Sequence, residues 1–394
     1  MRRAVRRGLK VTTGALVGAL AVLGFLWMRA DFDGAYLWRV LRHRESSTDD
    51  YRWKASAPVA AASSPAPWPE APACPAVAAA FAGDADAADL GAYLTGGGTL
   101  ALVVIRDGAI ACEWYGNGGA RDRPAAAFSV SKTVVALLLA RAVAAHQLAS
   151  LDEPITLRVP TLQARDPRFA TITLAELVDM RSGIAFEEEA DFPWVDRDSS
   201  LVYYASDLAQ TVVDKPRIAS APGPFVYNDY APNLTGLALE RATGASLAAG
   251  PMQALWTELG AEAPAAWSVD AHGYAWHESG LVVTARDLAR VGQLMLTGGL
   301  VGARPVAPAA FLARSFDPAG RAPATTFGAT TLGYRNGWWV FDDNLVAMGR
   351  YGQIMIVAPA ARTVIVRLGL DGHAETNVAL AQRFLRVADR LRSR

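Results

Sequence analysis

Ser129 and Lys132 stand three residues apart at the head of an apolar run, TVVALLLARAVAA, in a chain of 394 residues. The run predicts a buried helix over about 129–146, and residues i and i+3 of a helix share a face. The hydroxyl and the amine can therefore come within hydrogen-bonding reach. A serine needs a base before it acts as a nucleophile. A lysine among apolar neighbours is expected to be pushed towards its neutral amine, a state that arginine does not reach in proteins. Only Lys10, Lys54, Lys132 and Lys215 are lysines, against 34 arginines, so a lysine here is informative. Two fixed positions recur by chance in any long chain. What distinguishes this pair is its place at the mouth of a buried helix.

Two further segments carry candidate side chains. In PGPFVYND, Tyr227 lies in a turn just ahead of a helix, where a phenol can be aimed into a cleft. Taken alone it also reads as turn packing. In AMGRYGQ, Gly349 and Gly352 flank Arg350 between two strands, and glycine there lets a backbone approach a ligand closely. An ordinary bulged hairpin is the plain alternative.

The elements that position these residues follow from periodicity and turn chemistry. Leu100–Arg106 and Ile110–Tyr115 read as strands joined through Asp107-Gly108, a hairpin signal. Thr173 with Glu176 makes a capping box, and Gly183 ends that helix. A helix follows Tyr227 and ends at Gly244, and Thr284 with Asp287 opens another. Gly337–Phe341, Leu345–Met348, Gln353–Val357 and Thr363–Leu368 form a strand meander, and a last helix covers about 375–392. The expected fold class is α+β: an antiparallel sheet flanked by helices, completed by both ends of the body, with an all-helical lobe inserted at about 120–270.

Arg2, Arg3, Arg6, Arg7 and Lys10 precede an uncharged run from Val11 to Met28. Eighteen residues make about 27 Å of helix, just enough for a hydrocarbon core of about 30 Å. Residues 1–10 are thus expected in the cytoplasm, with 11–28 an uncleaved single-pass signal-anchor. A cleaved signal would have a shorter apolar core and a small-residue cut site after it. Residues 29–84 are expected to be an arm and a Pro/Ala-rich spacer, and residues 85–394 the folded body. This places the body in the periplasm, on the inner membrane. Without residues 1–28 the chain has five more acids than bases, a charge balance that argues against nucleic acid as a partner. Cys74 falls in the spacer and Cys112 on a strand. In an oxidising compartment they can pair, but a buried thiol at Cys112 is the expected state. Residues 185–214, aromatic and acidic, suit either a lid over the cleft or a solvated face. There is no GxSxG, phosphate loop, HExxH or paired CxxC, and the five histidines are scattered, so no metal site is expected.

In order along the chain, FSVSKT, LVDMRSGIAFEE, PGPFVYND, LERATG, SGLVVTARDLARVGQLMLTGG, NGWWV and GRYGQIMIVAPAARTVIVRLG resemble the serine β-lactamase and penicillin-binding-protein superfamily. The likeness is to its class C-like esterase branch and the aminohexanoate-dimer hydrolases, over roughly residues 85–394. It implies Ser129 as the acylated nucleophile, Lys132 as its proton partner and Tyr227 as general base. The backbone N–H groups of Ser129 and Arg350 would form the oxyanion hole, with Asp229 and Gly349 lining the substrate site. It implies a small-molecule ester or amide as substrate and no cofactor. Two positions depart from the β-lactamase pattern. Asp229 stands where those enzymes have Asn, and Ala347-Met348-Gly349 stands where they have Lys-Thr-Gly. A shifted register, Arg350-Tyr351-Gly352, would restore a cation and move the oxyanion N–H to Gln353. A β-lactamase or DD-peptidase on the same scaffold is the alternative reading, and a non-catalytic anchored binding protein the one from another class.

Overall fold

The computed structural model describes residues 17–18, 21–22, 24, 34–83, 89–188, 197–317, 323–327, 330–372 and 375–392. These fall into two compact units, residues 1–46 with 187–206, and residues 47–186 with 207–394. In the first, helix α1 (Gly34–His43) is held to the 197–206 segment. Arg39 Nε donates to the Tyr204 carbonyl at 2.9 Å, and the Tyr204 hydroxyl donates to the Arg44 carbonyl at 2.7 Å. Asp198, Ser199, Ser200 and Val202 are buried, so this part of the acidic, aromatic stretch is not a solvated face.

The second unit is built on strands β1 (Ala55–Val59), β2 (Thr99–Arg106), β3 (Ala109–Tyr115), β4 (Ala125–Ala126), β5 (Ala265–Val269) and β6 (Leu281–Val283). The later strands are β7 (Pro323–Phe327), β8 (Thr330–Arg335), β9 (Trp338–Phe341), β10 (Asn344–Gly349), β11 (Gln353–Ala358) and β12 (Thr363–Gly369). Eight of them form one antiparallel sheet in the order β7-β8-β9-β10-β11-β12-β2-β3. The first hairpin of the body thus docks on the last strand of the meander, with Val366 opposite Val103. Both ends of the body complete the sheet, as the pattern predicts. Asp107 and Gly108 take φ of 53° and 78°, the left-handed pair that a two-residue hairpin turn requires. A smaller sheet has the order β1-β5-β6-β4.

Every residue of β11 and β12 is buried, so both faces of the sheet centre are covered. Helices that pack the body are α2 (Cys74–Phe81), α3 (Val130–Ala144), α4 (Leu174–Val178), α5 (Tyr230–Thr243), α6 (Ala285–Leu296) and α7 (Asn377–Arg392). Helix α6 lies so close to the sheet that a Cβ on Gly292 would be 2.5 Å from Val364 Cγ1. The helical lobe is fastened to the turn between β8 and β9. Buried Asp179 accepts from the Asn336 backbone N–H at 2.8 Å and from Arg335 and Arg314 at 2.9 and 2.6 Å. Thr133 Oγ1, on α3, donates to the Gly337 carbonyl at 2.7 Å.

The apolar run 11–28 lies mostly outside the described residues, and among the described residues no helix is long and apolar enough to cross a membrane. The spacer is not free chain. Ala55–Val59 pairs along its whole length with β5, and Pro58 is tolerated because β1 is an edge strand. Cys112 is not a free thiol, because Cys74 and Cys112 form a disulfide with Cα atoms 4.6 Å apart. The docked spacer explains the pairing: Ala71 and Ala73 donate backbone hydrogen bonds to the Ile110 and Ala111 carbonyls, which lays Cys74 beside β3.

Candidate active site

Ser129 is the residue on which α3 begins. The residue before it, Phe128, has φ of +47°, a left-handed conformation that a bulky side chain rarely takes. Its ring is buried and meets Tyr351 edge-on at 5.5 Å. One turn into the helix, Lys132 is 3% exposed. Its Nζ donates to Ser129 Oγ at 2.8 Å and to the Glu278 carbonyl at 3.1 Å, and lies 2.9 Å from Asp229 Oδ1. Three protons on a tetrahedral nitrogen thus have three acceptors.

The apolar run alone suggests a neutral amine at Lys132. The structure corrects that expectation. Burial does push the proton affinity down, but the Asp229 carboxylate overcomes it, with the Tyr227 oxygen and Glu278 adding to the effect. The net shift is upward, which favours the ammonium form of Lys132. A charge in a low-dielectric setting follows its partner at contact distance.

Tyr227 comes from the turn before α5. Its half-buried ring stacks on Trp339 of β9 with centroids 5.5 Å apart and planes 21° from parallel. Lys132 Nζ lies 4.9 Å from the ring centre, so its charge acts directly on the phenol. Desolvation raises the phenol's pKa, and Lys132 opposes that rise without cancelling it. The next two residues divide their work. Asn228 is buried and structural, accepting from the Ala231 N–H at 2.7 Å and donating to the Val226 carbonyl at 2.8 Å. Asp229 turns its carboxylate to Lys132.

Beside Ser129, β10 ends at Gly349. A Cβ there would be 2.4 Å from the Ala127 carbonyl oxygen and 3.2 Å from Phe128 Cβ, so only glycine lets the strand end against the segment that carries the serine. Gly352 instead lies against Arg367 and Leu380. The contact with the serine segment therefore belongs to the Ala347-Met348-Gly349 register, with Arg350 the next residue after it. Arg350 is exposed, its guanidinium 5.4 Å from the Tyr351 ring centre. Asn377 Nδ2 donates to the Gly349 carbonyl at 3.0 Å, and its Oδ1 accepts from the Gly352 N–H at 3.1 Å. Arg367, fully buried, donates to the Gly352 carbonyl at 2.6 Å, the Gly97 carbonyl at 2.7 Å and Thr99 Oγ1 at 2.9 Å. Desolvation lowers its pKa to about 10.

The sequence singled out Ser129, Lys132, Tyr227, Asp229, Gly349 and Arg350. The first four meet at one point, and Gly349 packs against the segment leading into Ser129. Glu278, Asn233, Trp339, Arg367 and Asn377 were not singled out. Asn233 had a signal of a kind, standing in the first turn of α5 four residues beyond Asp229. Its Nδ2 donates to the Asp229 carbonyl at 2.7 Å and to Glu278 Oε2 at 2.8 Å.

The geometry has relatives. A 6-aminohexanoate-dimer hydrolase of Paenarthrobacter ureafaciens is 27% identical over 285 residues, which cover 68% of this chain and 72% of that one. A Bacillus anthracis structure described as a candidate 6-aminohexanoate-dimer hydrolase superposes with a TM-score of 0.76 at 21% identity, over 92% of this chain and 96% of its own. A class C β-lactamase in complex with cefoxitin gives a TM-score of 0.52 at 17% identity, over 74% of this chain and 92% of that one. At those identities the structures speak for the fold: a β-lactamase-like α+β body. Residues 77–388 match the Beta-lactamase family, and the chain belongs to it, a hydrolase of the serine β-lactamase and penicillin-binding-protein superfamily.

Proposed function

We propose that this hydrolase cleaves esters or amides through an acyl-enzyme on Ser129. The observation that carries the reading is the 2.8 Å contact of Lys132 Nζ with Ser129 Oγ, with the Tyr227 ring centre 4.9 Å from the same nitrogen. Ser129 Oγ attacks the acyl carbon and its proton passes to Tyr227, whose phenolate form the Lys132 ammonium stabilises. Tyr227 then hands that proton to the leaving oxygen or nitrogen. Water attacks the Ser129 ester, gives its proton to Tyr227, and Ser129 recovers one as the acid departs. The N–H groups of Ser129 and Arg350 hold the developing oxyanion. Lys132 and Tyr227 both hold protons more tightly than usual, so one proton must leave the pair before attack.

Ala347, Met348 and Gly349 offer no side-chain cation for a penicillin carboxylate. Short esters and linear amides are the favoured class, in keeping with the name of the curated relative. The Cys74–Cys112 bond is chemistry of an oxidising compartment and supports an exported body. Together with the basic 1–10 segment, it supports a single-pass anchor at 11–28 with the catalytic domain in the periplasm.

Mass spectrometry after treatment with a fluorophosphonate tests the mechanism: an adduct is expected on Ser129, and an adduct elsewhere overturns it. Catalytic efficiency on penicillins equal to that on p-nitrophenyl butyrate would turn the reading to a β-lactamase. Recovery of a soluble form starting after residue 28 would remove the anchor.

A further inference from the structure

A second layer of charge adjoins Lys132 and takes no part in the steps above. Glu278, just before β6, is 1% exposed. Its Oε2 accepts from Asn233 Nδ2 at 2.8 Å and its Oε1 from Ser279 Oγ at 2.8 Å, while its carbonyl takes the Lys132 hydrogen bond. Asn233 therefore ties Glu278 to the turn that presents Tyr227 and Asp229.

The opposite charge comes from the arm. Lys54 immediately precedes β1 and is 8% exposed, its ammonium 4.0 Å from the centre of the Trp276 ring. The pairing of Ala55 with Val269 carries it to the small sheet, where β6 lies next to β5. The titratable groups acting on Glu278 are Asp229 from the turn before α5, Lys132 from α3 and Lys54 from the arm. Glu278 in turn acts on the buried Tyr274 phenol, which His277 contacts. Desolvation and Asp229 push the Glu278 pKa up and the two lysines pull it down, with the net shift upward. Two of the chain's four lysines thus act electrostatically on one buried carboxyl.

We propose that Glu278 and Lys54 are positioning residues for the Ser129 reaction, an opposed pair of buried charges that sets the pH at which the Lys132–Tyr227 pair gives up its proton. The inference rests on the acyl-enzyme reading of Ser129. A carboxylate beside Lys132 tightens its hold on a proton, and a cation beside the carboxylate loosens it. Glu278→Gln keeps the shape and the acceptor for Asn233 and removes the charge. Lys54→Met keeps the length and removes the cation.

The test follows the rate of Ser129 adduct formation with a fluorophosphonate against pH, by intact mass, in the full chain. The rising limb of the profile should move to lower pH in Glu278→Gln and to higher pH in Lys54→Met, each by about half a unit or more. Lys54→Arg should restore the parent limb. Limbs that do not move, or that move the same way in both variants, overturn the proposal. Circular dichroism checks folding, and if Glu278→Gln does not fold, the Lys54→Met and Lys54→Arg comparison decides alone. Absence of any adduct on Ser129 in the parent would bring down the acyl-enzyme reading instead, a different readout from the position of the limb.

Discussion

Asp229 Oδ1 stands 2.9 Å from Lys132 Nζ, and this contact tightens the lysine's hold on its proton. Where β-lactamases place a neutral amide, this chain places an anion. Asp229→Asn should lower the Lys132 proton affinity and move the rising limb of Ser129 acylation to lower pH, by about one unit or more for a charge at contact. A limb that stays in place would mean that Asp229 has no hold on the reacting protons.

The parent enzyme should grow faster with rising pH through neutrality. The Lys132 and Tyr227 pKa values are both shifted upward, so the form that has lost one proton becomes more populated as pH increases. Initial rates on p-nitrophenyl butyrate from about pH 5 to about pH 10, corrected for spontaneous hydrolysis, check this. A maximum on the acid side with a fall above neutrality would contradict it.

Substitution at Lys132 should be severe whichever property is kept. Lys132→Met removes the cation. Lys132→Arg keeps it but replaces three tetrahedral donors with a planar fork in a packed site. Each should cost on the order of 10²-fold or more in acylation, and Tyr227→Phe about 10²–10⁴-fold with the Trp339 stack retained. Near-normal acylation in folded Lys132→Arg would leave the lysine a purely electrostatic part.

Arg367 has no part in the proposed chemistry, yet it holds the turn after Gly349 through the Gly352 carbonyl. Arg367→Met would leave that carbonyl, the Gly97 carbonyl and Thr99 Oγ1 without their donor. The expected loss is roughly 3 kcal/mol in chemical unfolding, together with slower acylation. Unchanged acylation would separate the turn from the site.

Much of this was readable in the sequence where the information is local. The Ser129–Lys132 spacing, the Thr173–Glu176 capping box and the Asp107-Gly108 turn depend only on neighbours a few residues away. The charge of Lys132 was not readable, because its counter-ion belongs to another helix's leading turn. Lys54 reaches the neighbourhood of Glu278 only through strand pairing in the small sheet. The Cys74 bond escaped for a similar reason. Proline-rich composition says that a segment lacks a core of its own, and it does not say that the segment cannot lie down on somebody else's.

The docked arm also bears on where this protein can be cut. The family match begins at residue 77, but β1, Lys54 and Cys74 all lie before it. A fragment trimmed to that boundary would leave Cys112 unpaired. It would also lose the cross-link closing a 38-residue separation, a stabilisation of about 3–4 kcal/mol by loop entropy. It would strip the partner from β5 as well, exposing a row of open backbone groups along Ala265–Val269. A bare edge of that kind invites pairing between molecules. Trimmed protein should therefore unfold earlier and self-associate, whereas a fragment starting at Ser47 should stay monodisperse in size-exclusion chromatography. The homology boundary falls inside the folding unit.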